Sequence, residues 1–217
     1  MSAVRSPEIA LIKRSVQPRV EGLDFTALAV SADKFFLSSS QTLFLLSNPS
    51  GDVFAHTTAQ TTPIHTIIHS PEKDIVITAA LGERFINIFT NTSDTLNRIG
   101  SLTCTDDVRT FLIQDDTLVA ITVVGTLEIF HTFNMDFEPS KKGGMTKPPT
   151  AEIHLTTSTG SKVQIQNATP RGKETIISWI EGTKTGFECL NLSNMTGQIE
   201  IPIESRQEPS TTQVPLF

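Results

Sequence analysis

A strand pattern recurs along this chain at intervals of about 43 residues. In each unit two short apolar strands are followed by a tight turn and a third strand that ends in a large apolar residue. These third strands occupy residues 42–46, 84–89 and 126–130. Their last residues, Leu46, Phe89 and Phe130, are separated by 43 and 41 positions. A spacing this regular requires a fold made of similar units set side by side.

An all-strand repeat of roughly 40–45 residues is the period of a WD-type β-propeller blade. The inner strands read as near-continuous apolar runs, which is expected where both sheet faces pack on neighbouring blades. Helix signals are poor, because β-branched residues dominate and no amphipathic stretch exceeds two turns. The sequence therefore predicts an all-β fold built from WD-repeat-like β-propeller blades.

The blades are predicted to cover residues 25–203, with one interruption at residues 134–150. That insertion is basic, rich in Lys, Gly and Pro and free of periodicity, so we expect it to be flexible. Beyond it the repeat continues to a fourth blade, whose last strand is predicted over residues 198–203. Residues 1–24 are expected to hold the outer strand of a preceding blade and a linker, and residues 204–217 a disordered tail.

About four and a half blades are fewer than the seven of most WD-type rings. An open arc would leave two apolar blade faces unpaired. We therefore favour the interpretation that the sequence is part of a larger, seven-bladed ring. The alternative is a small ring, since propellers have typically 4–8 blades.

Composition and motifs narrow the function. The net charge of −6 is not typical of a protein that binds nucleic acid over an extended surface. Cys104 and Cys189 form no metal-binding or disulfide pattern, and no apolar stretch approaches a membrane span. Phosphate-binding glycine motifs and Gly-x-Ser-x-Gly are absent. These features predict a non-enzyme with no cofactor, metal, membrane contact or small-molecule substrate.

Three groups of polar residues are weak candidates for chemistry. His65 and His69 would lie about 13 Å apart on one strand face, which favours packing over metal binding. The acidic pairs at residues 106–107 and 115–116 are typical of turns rather than of acid–base catalysis. Arg84 would contact either a partner or the neighbouring blade.

The basic loop is the best candidate for RNA or partner contact, through Lys141, Lys142 and Lys147. Three lysines would neutralise about two or three phosphates, which gives weak, salt-sensitive binding without sequence reading. An ordinary solvated loop is the alternative. The predicted blade-structural residues are Glu83, Phe89, Phe130 and Trp179.

Blade two resembles a degenerate WD repeat. Residues 59–60 stand where that repeat has Gly-His, Glu83 stands for its turn Asp, and residues 89–90 stand for Trp-Asp. The resemblance implies that the polar network of the repeat is mostly lost, so that apolar packing holds the blade.

A sequence similarity more specific than the WD pattern occurs at residues 82–89, 118–130, 162–168, 176–179 and 187–190. Together these segments resemble the U-three-snoRNA-associated protein five family, called WD-repeat protein forty-three in animals. The sister subunit nine is similar in the last two segments. The basic insertion between the last two blades also fits this family.

The resemblance implies a nucleolar scaffold of ribosome biogenesis. Such a protein would belong to the early pre-ribosomal RNA-binding subcomplex of the small-subunit processome, which is needed for 18S rRNA maturation. Its partners would be other WD-repeat processome subunits, together with pre-ribosomal RNA and snoRNP, bound directly or through those subunits. The alternative function is a generic WD-repeat adaptor, in trafficking or ubiquitin ligation, without an RNA role.

Overall fold

The computed structural model describes residues 24–47, 50–91, 95–131 and 145–203. All regular structure in these ranges is β-strand, in seventeen strands. This agrees with the all-β class predicted from the sequence. The expected strand at residues 9–12 and the tail at residues 204–217 lie outside the described residues.

Blade one is a four-stranded antiparallel sheet in which consecutive strands pair. Its strands are β1 (Phe25–Val30), β2 (Lys34–Ser39), β3 (Thr42–Ser47) and β4 (Val53–Thr58). The two-residue turn between β2 and β3 places Ser40 in the left-handed region, at φ 50°.

Blade two repeats this meander and adds a fifth strand. It contains β5 (Ile64–Ser70), β6 (Ile75–Ala80), β7 (Phe85–Thr90) and β8 (Asn97–Thr103). A short strand, β12 (Met145–Lys147), pairs in parallel with β8. The expectation of a loop without structure over 134–150 is therefore wrong at these three residues. Their order comes from backbone bonds to β8, which leave no side-chain period in the sequence.

Blade three also gains a parallel fifth strand. Its meander is β9 (Val108–Gln114), β10 (Thr117–Thr122), β11 (Leu127–His131) and β13 (Ala151–Thr156). Blade four follows with β14 (Lys162–Arg171), β15 (Glu174–Glu181) and β16 (Lys184–Leu190). The last strand, β17 (Gly197–Pro202), pairs in parallel with β13 of blade three.

The prediction that residues 198–203 form the outer strand of blade four is thus wrong in its pairing. Ile199 and Ile201 of β17 pack against the apolar cluster between blades three and four. That burial favours the edge of β13 over the edge of β16, because the hydrophobic gain is proportional to the apolar area removed from water.

Three apolar clusters hold the blades together, one at each junction. Phe89 lies in the cluster between blades one and two, Phe130 between two and three, and Trp179 between three and four. All three side chains are buried. The structure thus places these three predicted blade-structural residues at successive junctions.

The middle and end blades differ in burial. Strand β6 is buried along its whole length, and β10 is buried except at Thr117. By contrast, Leu28 and Val30 of β1 are 56% and 58% exposed. An inner strand is buried only where a neighbouring blade covers its sheet, and no described residue covers this side of blade one.

Candidate interaction surfaces

A polar cleft lies between the end of β4 and the outer strands of blade two. Its cavity volume is about 490 Å³, within the 300–1,000 Å³ typical of ligand sites. Its lining includes Thr58, Gln60, Thr61, Glu83, Phe85, Asn87, Arg98, Ser101 and Thr146. The cleft therefore joins residues from the β4–β5 connection, the β6–β7 turn, β7, β8 and β12.

A buried network forms the floor of this cleft. The Gln60 side-chain amide donates to the carbonyl and the hydroxyl of Thr78, at 3.0 and 3.1 Å. Asn87 Nδ2 donates to the Ala59 carbonyl and to Gln60 Oε1, both at 2.7 Å. These bonds fasten the connection from blade one onto the middle strands of blade two.

The side-chain oxygen of Asn87 accepts no hydrogen bond from the described residues. The residue is 4% exposed, and its Oδ1 atom has no hydrogen-bond partner among the described residues. A buried polar atom left unpaired costs about 1–3 kcal/mol. Because this atom is buried, the network tolerates one unpaired acceptor beneath the cleft.

Glu83 ties the rim of the cleft together. Its Oε1 atom accepts from the backbone N–H groups of Thr61 and Thr62, at 2.8 and 2.7 Å, and from both hydroxyls. Partial burial raises the pKa of Glu83, but the hydrogen bonds from Thr61 and Thr62 outweigh that effect and hold the pKa below its usual value. Glu83 thus links the β6–β7 turn to the β4–β5 connection.

The expectation that blade two has mostly lost its polar network is therefore wrong. Gln60, Thr78, Asn87 and Glu83 rebuild such a network with residue types that differ from the WD pattern. The sequence contains a partial indication of this network. Two polar residues, Asn87 and Glu128, occur 41 positions apart inside otherwise apolar third strands.

Glu128 plays the corresponding part in blade three. Its side chain is fully buried, and its carboxylate accepts from the backbone N–H of Thr105 at 2.9 Å and from the Thr105 hydroxyl. Burial raises the pKa of Glu128, and the bonds from Thr105 only partly oppose that rise. This carboxylate joins the β8–β9 connection to β11.

Replacing Asn87 should weaken the junction between blades one and two. In Asn87→Leu, Gln60 Oε1 and the Ala59 carbonyl lose their buried donor, so we expect a loss of about 1–3 kcal/mol of unfolding free energy. Urea unfolding measures it. Asn97→Leu removes an exposed amide from β8 and is the control. Equal effects of the two changes would contradict the network.

Removing the charge of Glu83 should destabilise the protein chiefly at neutral pH. A lowered pKa adds stability above the unfolded-state value, and that stability is lost as pH falls through the folded-state value. For Glu83→Gln we expect a loss of about 0.5–1 kcal/mol at pH 7, kept small by solvent screening. The loss should shrink toward pH 3 in thermal melts. A deficit that grows on acidification would contradict this role.

Two of the four predicted basic contacts, Lys147 and Arg84, lie in the described part of the chain. Lys141 and Lys142 lie outside it, while Lys147 is half-buried on β12. Arg84 is exposed, and its guanidinium lies 5.7 Å from the ring centroid of the adjacent Phe85. Contact of these residues with RNA or a partner stays a prediction.

Arg109 is a cation that bridges two blades, and sequence reasoning missed it. From β9 its guanidinium donates to the carbonyls of Ile165 and Val123, at 3.2 and 3.1 Å, and to Gln166 Oε1 at 3.1 Å. One side chain thus joins blade four to the β10–β11 turn. No local pattern marks this role, because its partners lie 14 to 57 residues away.

His65, Asp106 and Asp116 make contacts within the fold. The ring nitrogens of His65 lie 2.9 and 2.8 Å from the carbonyl oxygens of Ala79 and Arg109. Asp106 accepts from the Asp107 N–H, and Asp116 pairs with Lys73. No group of three or more possible metal ligands occurs among the described residues.

A second surface is the apolar outer side of blade one. Its exposed large side chains are Phe25, Leu28, Val30, Val53 and Phe54. Phe44 and His56 stack beside them, with ring centroids 5.8 Å apart. Contiguous exposed apolar surface of this kind marks interaction sites. Separately, the described ranges contain no helix that is long and apolar enough to cross a membrane.

Comparisons with solved structures identify the architecture. The chain is similar to the β-propeller domain of Cps50 (Swd1) from Myceliophteria thermophila, at TM-score 0.55 and 12% identity, over 75% of this chain and 50% of that one. It is also similar to the computationally designed protein Ika8, at TM-score 0.56 and 11% identity, over 81% and 48% of the two chains. KlHsv2 with loop 6CD replaced by a Gly-Ser linker gives TM-score 0.50 and 14% identity, over 70% and 48%.

The fold is therefore that of β-propeller blades, as the repeat predicted. The chain spans about half the length of each of these structures. No family model matches the sequence, and no curated protein matches it. The propeller is commonly a non-enzymatic platform for protein–protein interaction.

Proposed function

We propose that this protein is a non-catalytic scaffold of ribosome biogenesis, acting in the nucleolus within the early pre-ribosomal RNA-binding subcomplex of the small-subunit processome. The observation that carries the proposal is the resemblance of residues 81–130 to the U-three-snoRNA-associated protein five family. This stretch contains β7 to β10 and most of β11, and spans the junction of blades two and three. The other segments that resemble the family lie in β14, β15 and β16 of blade four.

The surfaces described above support a scaffold role. A polar cleft and an apolar blade side offer two distinct places for partner proteins. The net charge of −6 favours contact with partner subunits over extensive direct RNA contact. Pre-ribosomal RNA would then be held mainly through sister WD-repeat subunits, with the basic segment that ends at Lys147 adding a weak contact.

Depletion tests the ribosomal role. Loss of the protein should lower newly made 18S rRNA, while the rRNA of the large subunit serves as the internal control. Pulse-labelling of rRNA measures both. Normal 18S production after depletion would refute the proposal.

The acidic charge and the exposed apolar side also suit the alternative, an adaptor without an RNA role. Affinity purification of the tagged protein separates the two. Processome subunits and snoRNP in the eluate would support the ribosomal scaffold. Coat or ubiquitin-ligase subunits in their place would support the adaptor.

A further inference from the structure

Among the described strands, none covers the outer edge of blade one, although the equivalent edges of the next two blades are covered. In blade two the outer strand β8 is covered by β12, and in blade three β13 is covered by β17. Both added strands run parallel to the strand that they cover. The outer strand of blade one, β4, pairs only with β3 in the described part of the chain.

The backbone groups at this edge can be assigned from the ladder. The Ala59 N–H donates to the Gln41 carbonyl. In an antiparallel ladder this puts Thr58 and His56 in non-hydrogen-bonded pairs with Thr42 and Phe44. The N–H and C=O groups of His56 and Thr58 therefore point away from β3, toward the open edge.

The same assignment in blade two identifies the filled counterpart. There the Cys104 N–H donates to the Arg84 carbonyl, which leaves Ser101 and Thr103 pointing away from β7. Strand β12 pairs with this edge, with Thr146 opposite Ser101. Blades one and two thus share this ladder pattern, and in the described part of the chain only blade two has a partner strand on its outer edge.

From this we propose that the edge of β4 binds an extended segment of a partner protein, which adds to blade one as a parallel fifth strand. Main-chain bonds to His56 and Thr58 would give the affinity of such strand addition, and side-chain positions would give its selectivity. This inference does not depend on the ribosomal role, because it rests on the sheet edge alone.

The filled edge of blade three indicates the chemistry of the segment, since β17 is the longer of the two added strands. In β17, Ile199 and Ile201 are partly buried against the core, whereas Gln198 and Glu200 alternate with them on the other side. The segment on β4 should likewise carry branched apolar residues at alternate positions, beside Ala55 and Thr57. Exposed Val53 and Phe54 offer further apolar surface at the start of β4.

The far end of the segment reaches the polar cleft. A strand parallel to β4 ends near Thr58, which lines that cleft. The same lining contains Thr61 and Glu83. We therefore expect polar residues just after the apolar positions of the segment.

The test uses an unbiased library of twelve-residue peptides selected on the full chain. Selected peptides, made synthetically, should carry the alternating apolar pattern and should slow hydrogen exchange of the His56 and Thr58 amides by at least tenfold. His56→Pro removes the outward N–H without removing a bond to β3, and Pro is tolerated on edge strands. It should weaken binding at least tenfold, whereas His56→Thr, which keeps the N–H, should bind as the wild type does.

Several results would overturn the proposal. One is a selection that yields no peptide, and another is a set of peptides that bind His56→Pro as tightly as the wild type. A third is slow exchange of the His56 and Thr58 amides in the free protein. If that protection is independent of concentration, a segment of the same chain covers the edge; if it rises with concentration, a second copy does.

Discussion

Gly125→Ala is expected to be the most destabilising single methyl addition at the junction of blades three and four. Gly125 lies in the β10–β11 turn at φ +82°, where a Cβ atom is strained. The added carbon would also lie 2.6 Å from Gln164 Cγ, 2.8 Å from Gln164 Cα and 2.8 Å from the Ile165 nitrogen. Two of these atoms are backbone of β14, so the strand itself must move.

We expect this substitution to lower the unfolding free energy by about 3–5 kcal/mol, as backbone strain of about 1–3 kcal/mol and overpacking of about 1–3 kcal/mol act together. It should also break the bond from the Ile165 N–H to the Gly125 carbonyl, 3.2 Å long. Urea unfolding followed by fluorescence of Trp179, the single tryptophan, reports on this junction.

The control is Gly172→Ala in the β14–β15 turn. Gly172 has a similar positive φ, +62°, but an added Cβ meets nothing within 4 Å. This variant carries the backbone strain alone and should lose about 1–2 kcal/mol. If the two variants unfold at the same urea concentration, the close contact between the turn and β14 is not what restricts Gly125.

Glu128→Gln should stabilise the protein increasingly as pH rises. Burial raises the pKa of Glu128, so the unfolded state loses its proton at lower pH than the folded state does. Wild-type stability from this group is therefore complete at acidic pH and declines as pH rises above the unfolded-state pKa. A glutamine can still accept from Thr105 and carries no charge to bury.

We expect the variant and the wild type to be similar near pH 4 and to diverge progressively toward pH 8. Denaturant unfolding at several pH values measures the divergence. Glu72→Gln, which removes an exposed carboxylate in the β5–β6 turn, should not show it. A constant difference between Glu128→Gln and the wild type across pH would contradict a buried carboxylate with a raised pKa.

The pKa values of the two free thiols are also raised. Cys104 is buried next to Glu128, and desolvation together with that carboxylate raises its pKa. Cys189 is exposed, and a bond to Glu174 raises its pKa as well. Both thiols therefore stay protonated at neutral pH, so neither is an activated nucleophile.

Sequence reasoning predicted the blade meanders well because each depends on local signals. Turn residues and apolar runs place β3, β7 and β11 within about one residue of where they occur. The large residues that end the third strands also indicate where neighbouring blades meet. Phe89 and Phe130 are bulky apolar side chains at repeated positions, and both are buried.

The site was harder to predict because its contacts are not local. Gln60 and Asn87 lie 27 residues apart, and Arg109 and Gln166 lie 57 apart. From the sequence alone, each of these side chains could form hydrogen bonds with several different partners. Only the packed blades decide which acceptor stands opposite each donor.

The sequence by itself determined the repeat, the strand class and the apolar faces that join the blades, because the gain from burying apolar side chains leaves a periodic apolar pattern in the sequence. Only the tertiary structure decided that β12 and β17 cover the outer edges of blades two and three, while no described strand covers the outer edge of β4. A strand edge is recognised in large part through backbone hydrogen bonds, which are the same for nearly every residue type, so the side chains give little indication of which edge a segment covers.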